Sequence, residues 1–280
     1  MADQEHAAQQ IYSVNIACGD VFVDGWLNLD FVARSSQVVQ ANLLKRLPLR
    51  TSSVDVIYSS HFLEHVPMSH VPSFLRDCFR ALRPGGRIRL VVPDLEELCL
   101  EYLRQRRSGE HWKADFVVIE MLDQCVRSHT GGKLNEALND IAAHGSEAMV
   151  SYVRGRLGDS YDRVQTQRQA TYSAFQRIVR EPRLLRAKAL DLYTRLIGML
   201  LPTAYREQNI SRTALGEKHT WIWDYYQLSS ALSDAGFVNV VKVSCRTSSI
   251  MNFPCFPLDM LDDGSPRKGL ESMYVEAEKP

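Results

Sequence analysis

The sequence predicts an α/β fold: a parallel sheet with crossover helices, interrupted by a large helical insertion after the Arg87–Val92 strand. Three observations point there. The first hundred residues alternate short apolar runs with turns and contain one clear helix. From Leu95 to about Lys218 the pattern becomes helical and arginine-rich. Near Trp221 the strand-and-helix pattern resumes, so the helical block interrupts one sheet and does not follow it as a separate module.

Each element has its own signal. Tyr12 to Ala17 reads as a short strand ending in Cys18-Gly19-Asp20. Trp26 to Phe31 alternates, with Leu27, Leu29 and Phe31 on one face. Val54 to Ser59 is a third strand. Val71, Phe74, Leu75, Cys78, Phe79 and Leu82 keep helical spacing until Pro84-Gly85-Gly86. Arg87 to Val92 is a strand stopped by Pro93. In the middle block, Leu95, Leu98, Cys99, Tyr102 and Leu103 mark one amphipathic helix, and Leu134, Leu138 and Ile141 a second. Leu185, Ala189, Leu192, Leu196 and Met199 mark a third, closed by Pro202. Leu228, Leu232 and Ala235 give a late helix capped by Gly236. Val238–Val243 and Met273–Ala277 are the last strands. The expected organisation is a flexible tail over 1–10, a sheet domain over 11–94 and 219–280, and a helical insertion over 95–218. The insertion joins at the carboxyl end of a strand, where open α/β sheets bind ligands, so it is placed to act as a lid or substrate domain.

Composition narrows the classes. The 280 residues carry 33 Lys+Arg and 33 Asp+Glu, so no net positive field gathers nucleic acid or anionic lipid. The N-terminal ten residues lack the apolar core of a signal peptide. The longest apolar run, Leu192–Leu201, is broken by Arg195, so no membrane span is expected. Six cysteines without a C-x-x-C pair suit reduced thiols and a cytoplasmic protein. The arginines of the insertion, among them Arg154, Arg156, Arg163 and Arg168, read first as a solvated helix face and second as a site for an anionic group. Its aromatic residues (Trp112, Phe116, Tyr152, Tyr161, Tyr172, Phe175) read first as core and second as a glycan-binding surface.

The chemistry-bearing segments lie at strand ends. Ala17-Cys18-Gly19-Asp20 lets the backbone approach a ligand closely. Asp30 ends the next strand, where a carboxylate suits the two hydroxyls of a ribose. Asp94 reads as the N-cap of the Leu95 helix.

Four segments carry a family resemblance. Asn15-Ile16-Ala17-Cys18-Gly19 with Gly25-Trp26-Leu27-Asn28-Leu29-Asp30 resembles the glycine-rich opening of class I S-adenosylmethionine (SAM)-dependent methyltransferases, in particular a bacterial type 11-like subgroup. Val54 to Val66, through Ser59-Ser60-His61-Phe62-Leu63-Glu64-His65, resembles that subgroup's strand and turn. Ala81-Leu82-Arg83-Pro84-Gly85-Gly86-Arg87 resembles the turn before its fifth strand. His219-Thr220-Trp221-Ile222-Trp223-Asp224 with Ala235-Gly236-Phe237 resembles its ending. Ala17 stands where a glycine is usual, Asn42-Leu43 where Asp-Leu is frequent, and Trp223 where Tyr is. The insertion resembles no family we can name.

The resemblance implies a Rossmann-like class I methyltransferase sheet with the insertion after its fifth strand, and SAM as cofactor, leaving S-adenosylhomocysteine as product. It implies that Ala17, Cys18, Gly19 and Asp20 line the methionine and ribose portion, and that Asp30 holds the ribose hydroxyls. Asn42 and Leu43 would flank the adenine; Ser59, Ser60 and His61 would cross beneath the sulfonium. His65 matches a position used as a catalytic histidine in some small-molecule methyltransferases. Histidine suits general-base work near neutral pH, so His65, His61 and His219 are the candidate bases, in that order. The expected acceptor is a small-molecule or glycan hydroxyl, such as a sugar or a cell-surface polysaccharide precursor. N- or O-methylation of a natural product is the alternative, and a homodimer is left open.

Competing readings have specific objections. His61-Phe62-Leu63-Glu64-His65 spells H-x-x-E-H, an inverted zinc-peptidase signature, but it follows a β-branched strand and precedes Pro67, so no metal is expected. A nicotinamide enzyme would show G-x-G-x-x-G after the first strand, which Ala17 to Val23 do not. No paired acidic residues follow the Val54–Ser59 strand, against magnesium-assisted catechol chemistry. A non-catalytic SAM-binding scaffold, with the insertion as interaction surface, is the remaining reading from another class.

Overall fold

The strands β1 (Ser13–Ile16), β2 (Leu27–Asp30), β3 (Val38–Gln40), β4 (Val54–Ser60), β5 (Leu82–Pro93), β6 (Val238–Val243) and β7 (Ser272–Glu278) form one sheet in the order β3-β2-β1-β4-β5-β7-β6. The computed structural model describes residues 12–33, 35–170, 193, 197–211, 213 and 216–280, without the side chains of 165–170, 207 and 208. Strands β1 to β5 pair in parallel, while β7 runs antiparallel to both β5 and β6. The sheet is thus a mixed, Rossmann-like one, with a reversed strand that the plain parallel expectation lacked.

Side-chain alternation gives the sheet two buried faces. Ile57 of β4, Ile88, Leu90 and Val92 of β5, and Met273, Val275 and Ala277 of β7 pack under two helices, α1 (Val71–Ala81) and a later one spanning Tyr225–Asp234. Tyr58, Arg89, Val91, Tyr274 and Glu276 point the other way. That face is covered by the 244–260 segment, where Cys245, Phe253, Leu258 and Met260 pack beside Tyr58, Val91 and Tyr274 around a buried ion cluster. Arg89 bonds Asp259 at 2.7 Å and Glu276 at 2.6 Å, and Tyr58 donates its hydroxyl to Asp259. Arg89 also donates to two backbone carbonyls, those of Ser244 and Thr247, so the buried charge is well coordinated.

Crossover helices are fewer than expected. Helix α1 links β4 to β5, but the described residues of 17–26, 31–37 and 41–53 form turns. Those connections are short and punctuated by Gly19-Asp20, Asp24-Gly25, Asn42 and Pro48, so a helical nucleus has no room. Leu43, Leu47 and Leu49 cover the sheet there instead. Helix α1 ends at Ala81. Leu82, expected in the helix, opens β5, and Pro84-Gly85-Gly86 forms an irregularity in that strand where the β4 register shifts.

Between β5 and the Tyr225 helix lie α2 (Leu95–Ser108), α3 (His111–Val126), α4 (Gly132–His144), α5 (Glu147–Leu157), α6 (Asp159–Ala170) and α7 (Thr203–Asn209); the Tyr225–Asp234 helix is α8. Asp94 caps α2 by accepting from the Glu96 N–H at 3.0 Å, as expected. The expected apolar stripe of α2 is only partly inward. Leu98 is buried, but Cys99 and Leu103 are exposed, while Glu101 is buried against Gln105 and Tyr152. The predicted Leu134–Ile141 helix is α4. Of the predicted Leu185–Met199 helix only residue 193 and residues 197–199 are described, and these are helical; Tyr172, Phe175, the Arg168 side chain and the 1–10 tail fall outside the described residues and side chains.

Helices α3, α5 and α6 carried no clear pattern in sequence, because several of their buried positions are charged. Arg156 of α5 is buried against Glu120 of α3 at 3.2 Å, not on a solvated face, and Arg127 pairs with Asp123 at 2.6 Å. Phe116, Leu138, Ile141, Val153, Leu157 and Tyr161 form a separate apolar cluster, which assigns Phe116 and Tyr161 to core.

The block is docked on the sheet through the turn between α5 and α6. Gly158 and Gly269, both at positive φ, let two backbones touch. Asp159 N–H donates to Arg267 O at 2.8 Å and Leu270 N–H to Gly155 O at 3.2 Å. A Cβ on Gly269 would lie 1.8 Å from Arg156 O, whereas one on Gly155 would meet nothing within 4 Å. Gly269→Ala should therefore lower the melting temperature by several degrees, a loss of about 2 kcal/mol or more. Gly155→Ala, inside α5, should raise stability by up to about 1 kcal/mol. Thermal unfolding of the pair checks this; equal effects would mean that the close approach does not hold the block.

Candidate active site

Three strands end at one edge, and two of them end in left-handed backbone. Ala17, after β1, has φ +56° and His61, after β4, has φ +50°. Each such non-glycine residue costs roughly 1–2 kcal/mol, so both turns are held by their surroundings. At β1 the holder is Asp30, at the end of β2. Its Oδ2 accepts from the Gly19 N–H at 2.9 Å and its Oδ1 from the Val32 N–H at 3.0 Å. Cys18 N–H donates to Leu29 O at 3.2 Å. At β4, His61 Nε2 lies 2.8 Å from Ser272 Oγ and its N–H donates to Val91 O.

These turns line a cavity of about 1190 Å³. Ala17, Gly19, Asp20 and Asp30 form one wall and Phe31, Val32, Leu44 and Phe62 an apolar one. His61 and His65 stand at the end of β4. The helical block and the segment leading back to the sheet contribute Asp159, Asp162, Arg163, Thr213, Gly216 and Lys218. A smaller pocket of about 180 Å³ shares Ala17, Gly19 and His61 and adds Cys18, Ser60, Arg163, Arg267 and Lys268.

Cations gather between the two. Asp159 Oδ2 binds Arg163 at 2.8 Å and Arg267 at 3.0 Å, and Asp159 Oδ1 lies 3.8 Å from Lys268 Nζ. Burial pulls the Lys268 ammonium down to about 8.

Behind the cavity wall, Leu63–His65 form a single 3₁₀ turn. Glu64 is fully buried, and burial pushes its carboxyl up to about 8. His61 Nδ1 lies 3.3 Å and His65 Nε2 4.0 Å from Glu64 Oε1. His65 Nδ1 lies 3.0 Å from Lys218 O, and its ring meets the His219 ring edge to face at 4.7 Å. Burial lowers all three imidazoles below their usual value, His61 and His219 well below it.

The residues expected from sequence are therefore only partly brought together. Ala17, Gly19, Asp20, Asp30, His61 and His65 line the cavity. Cys18 and Ser60 line the smaller pocket, and burial pushes the Cys18 thiol up to about 11. Ser59 is buried. Leu43 is fully buried in the core; Leu44, one residue on, faces the cavity, while Asn42 Oδ1 caps the turn by accepting from Leu44 N–H. His219 is buried behind His65. Asp224 caps α8. Sequence reasoning missed Phe31, Val32, Leu44, Asp159 and Lys268. None carries a motif: the chain reaches the cavity at these positions only because β2, α6 and the loop before β7 end there.

Residues 5–90 match a family model described as a methyltransferase domain. The first third of the chain is thus similar to a methyltransferase domain. Among curated proteins none matches the sequence. Among solved structures, a SAM-dependent methyltransferase from Mesorhizobium loti shares 24% identity over 30% of this chain and 47% of its own, at a TM-score of 0.27. The chain thus spans about half the length of that relative. SAM-dependent methyltransferases from Thermotoga maritima and Archaeoglobus fulgidus each share 10% identity over 97% of this chain, covering 83% and 87% of theirs, at TM-scores of 0.40 and 0.39.

The first of these turns should tolerate glycine and reject branching. Ala17→Gly should leave stability within about 1 kcal/mol, and Ala17→Val should lose about 1–2 kcal/mol more, because a β-branched residue is strained at φ +56°. Urea unfolding of both variants measures this; equal midpoints would mean that the turn relaxes out of the left-handed region.

Proposed function

We propose that the whole chain transfers the methyl group of SAM to a hydroxyl of a small-molecule or glycan acceptor, with the helical block over 95–218 closing over the reactants. The observation that supports it most is the Asp30 carboxylate, which grips the Gly19 N–H at 2.9 Å and still faces the cavity. Each carboxylate oxygen has a lone pair left, so Asp30 can accept from two ribose hydroxyls while holding the turn. The apolar wall of Phe31, Val32, Leu44 and Phe62 suits an adenine. Lys268 and Arg163, beside the smaller pocket, suit the carboxylate of the methionine end.

SAM supplies a methyl group already activated on a sulfonium. The residues then have three tasks. They must hold the donor and acceptor in line, which supplies most of the rate. They must keep water out, which the docked block would do. They must also take the proton of a hydroxyl acceptor, a task for His61 or His65, which line the cavity as His219 does not. Six unpaired cysteines accord with a cytoplasmic setting, and no helix among the described residues is long and apolar enough to cross a membrane. A sugar or polysaccharide-precursor hydroxyl is the first acceptor to try, and a natural-product hydroxyl or amine the second.

Calorimetry with S-adenosylhomocysteine and with 5′-deoxy-5′-methylthioadenosine, which lacks the aminocarboxylate, tests the donor site. Asp30→Ala should weaken both ligands about 10-fold or more. Lys268→Met should weaken only S-adenosylhomocysteine, and equal losses would remove Lys268 from the carboxylate. Transfer of labelled methyl to a panel of sugars, nucleotide sugars and phenols tests the acceptor. Tight S-adenosylhomocysteine binding with no transfer to any of them would favour a non-catalytic scaffold.

A further inference from the structure

A fully buried carboxylate without a hydrogen bond is costly, by several kcal/mol if it is charged. Glu64 is such a group: neither of its side-chain oxygens has a hydrogen-bond partner. We infer that Glu64, His65 and His219 form a binding site for a divalent transition-metal ion, open on one side to the cavity. Among the described residues these three offer one ligand atom each, all within 4.8 Å of one another.

The two segments that carry them are stitched together by backbone. Thr220 N–H donates to Glu64 O at 2.7 Å, Thr220 Oγ1 donates to Val66 O at 2.7 Å, and His219 N–H donates to Gln124 O at 2.9 Å. The geometry is thus held before any ion arrives. The outer contact of His65 is the usual one for a metal-bound imidazole: Nδ1, next to Lys218 O, carries the proton and leaves the Nε2 lone pair on the Glu64 side. Metal–ligand distances near 2.0–2.2 Å would require the three side chains to close by about 1 Å. Two imidazoles and one carboxylate favour zinc or a similar ion over magnesium or calcium. Nearby positive charge is limited, since Arg127 is paired with Asp123 and Lys268 leans on Asp159.

The ligand set differs from the one spelled by His61-Phe62-Leu63-Glu64-His65. His61 turns away through left-handed backbone and engages Ser272, so it contacts Glu64 from outside the triad. The second imidazole comes from His219, at the far end of the helical block. His65 lines the cavity, so the remaining coordination position faces the acceptor space, where an ion would polarise a bound hydroxyl; with its lone pair on the ion, His65 would leave the acceptor's proton to His61.

The inference does not need the methyl donor, and its test is metal content. Untagged full-length protein should retain about one zinc per chain after dialysis against zinc and then zinc-free buffer. Cobalt should give a visible absorption band at the same stoichiometry. Glu64→Gln and His219→Ala should lower zinc affinity beyond the roughly 10–100-fold cost of losing an outer partner. His144→Ala, at an exposed histidine on α4, should change nothing. Wild-type protein without zinc or cobalt would overturn the site and leave Glu64 neutralised by a proton. So would Glu64→Gln or His219→Ala binding zinc like wild type. Near-UV circular dichroism controls for folding; if His219→Ala unfolds, the near-isosteric Glu64→Gln decides. S-adenosylhomocysteine affinity, measured on zinc-free protein, separates the two readings: its loss with zinc binding intact counts against the donor site alone.

Discussion

The carboxylate of Asp159 holds the two halves of the molecule together. It opens α6, yet its partners come from two places: Arg163 from its own helix, and Arg267 and Lys268 from the loop that feeds the last strand. One anion thus gathers three cations where the helical block meets the first-strand turn. Arg267 is fixed further by donating to Leu258 O at 2.6 Å, so the arrangement is anchored to the sheet and not free to swing with the helices. Partly buried ion pairs of this kind contribute little net stability, but they impose geometry, because a displaced partner leaves a buried charge unpaired.

That dependence extends through the rest of the structure. The block has its own apolar cluster, but its contact with the sheet is polar and close: a glycine against a backbone carbonyl, an arginine between carboxylates, and two backbone hydrogen bonds. Arg156, paired with Glu120, also acts electrostatically on Glu271, just before β7. On the sheet face that carries Tyr58 and Tyr274, Arg89 plays the corresponding part for the 244–260 segment, beside the apolar contacts of Cys245, Phe253 and Leu258. In both places the chain joins the sheet through irregular segments and buried charge.

The cavity follows from these two choices. With no helix between β1 and β2, the Ala17–Gly19 turn is held by a side chain, Asp30, and not by the first turn of a helix. The same absence leaves the strand ends open to the helical block. The His61–Glu64–His65 turn is then closed from outside by Thr220 and His219, which return from the far end of that block.

Much of this was legible in the sequence. Strands β1, β2, β4, β5, β6 and β7, helix α1, and the cap residue Asp94 each rest on local signals: β-branched runs, helical spacing, an acidic residue before a helix. Asp30 and the Cys18-Gly19 turn were visible for the same reason, since a strand end followed by a small residue is a local pattern. The short strand β3 and helices α3, α5 and α6 were not, because β3 has only three residues and the helices bury Glu120, Asp123, Arg127 and Arg156 where apolar residues would mark an inner face. Nor could the sequence choose between Leu43 and Leu44, adjacent and chemically identical; only the turn decided which faces the cavity. It did not place Lys268 beside Gly19 or His219 beside His65. Those pairs are far apart along the chain, and their meeting depends on β7 running antiparallel between β5 and β6 and on the helical block returning to the strand ends. The sequence by itself determined most strands of the sheet and the turns at their ends, because these are written in consecutive residues. The tertiary structure alone decided which charges face the cavity, because that depends on how distant segments close over one another.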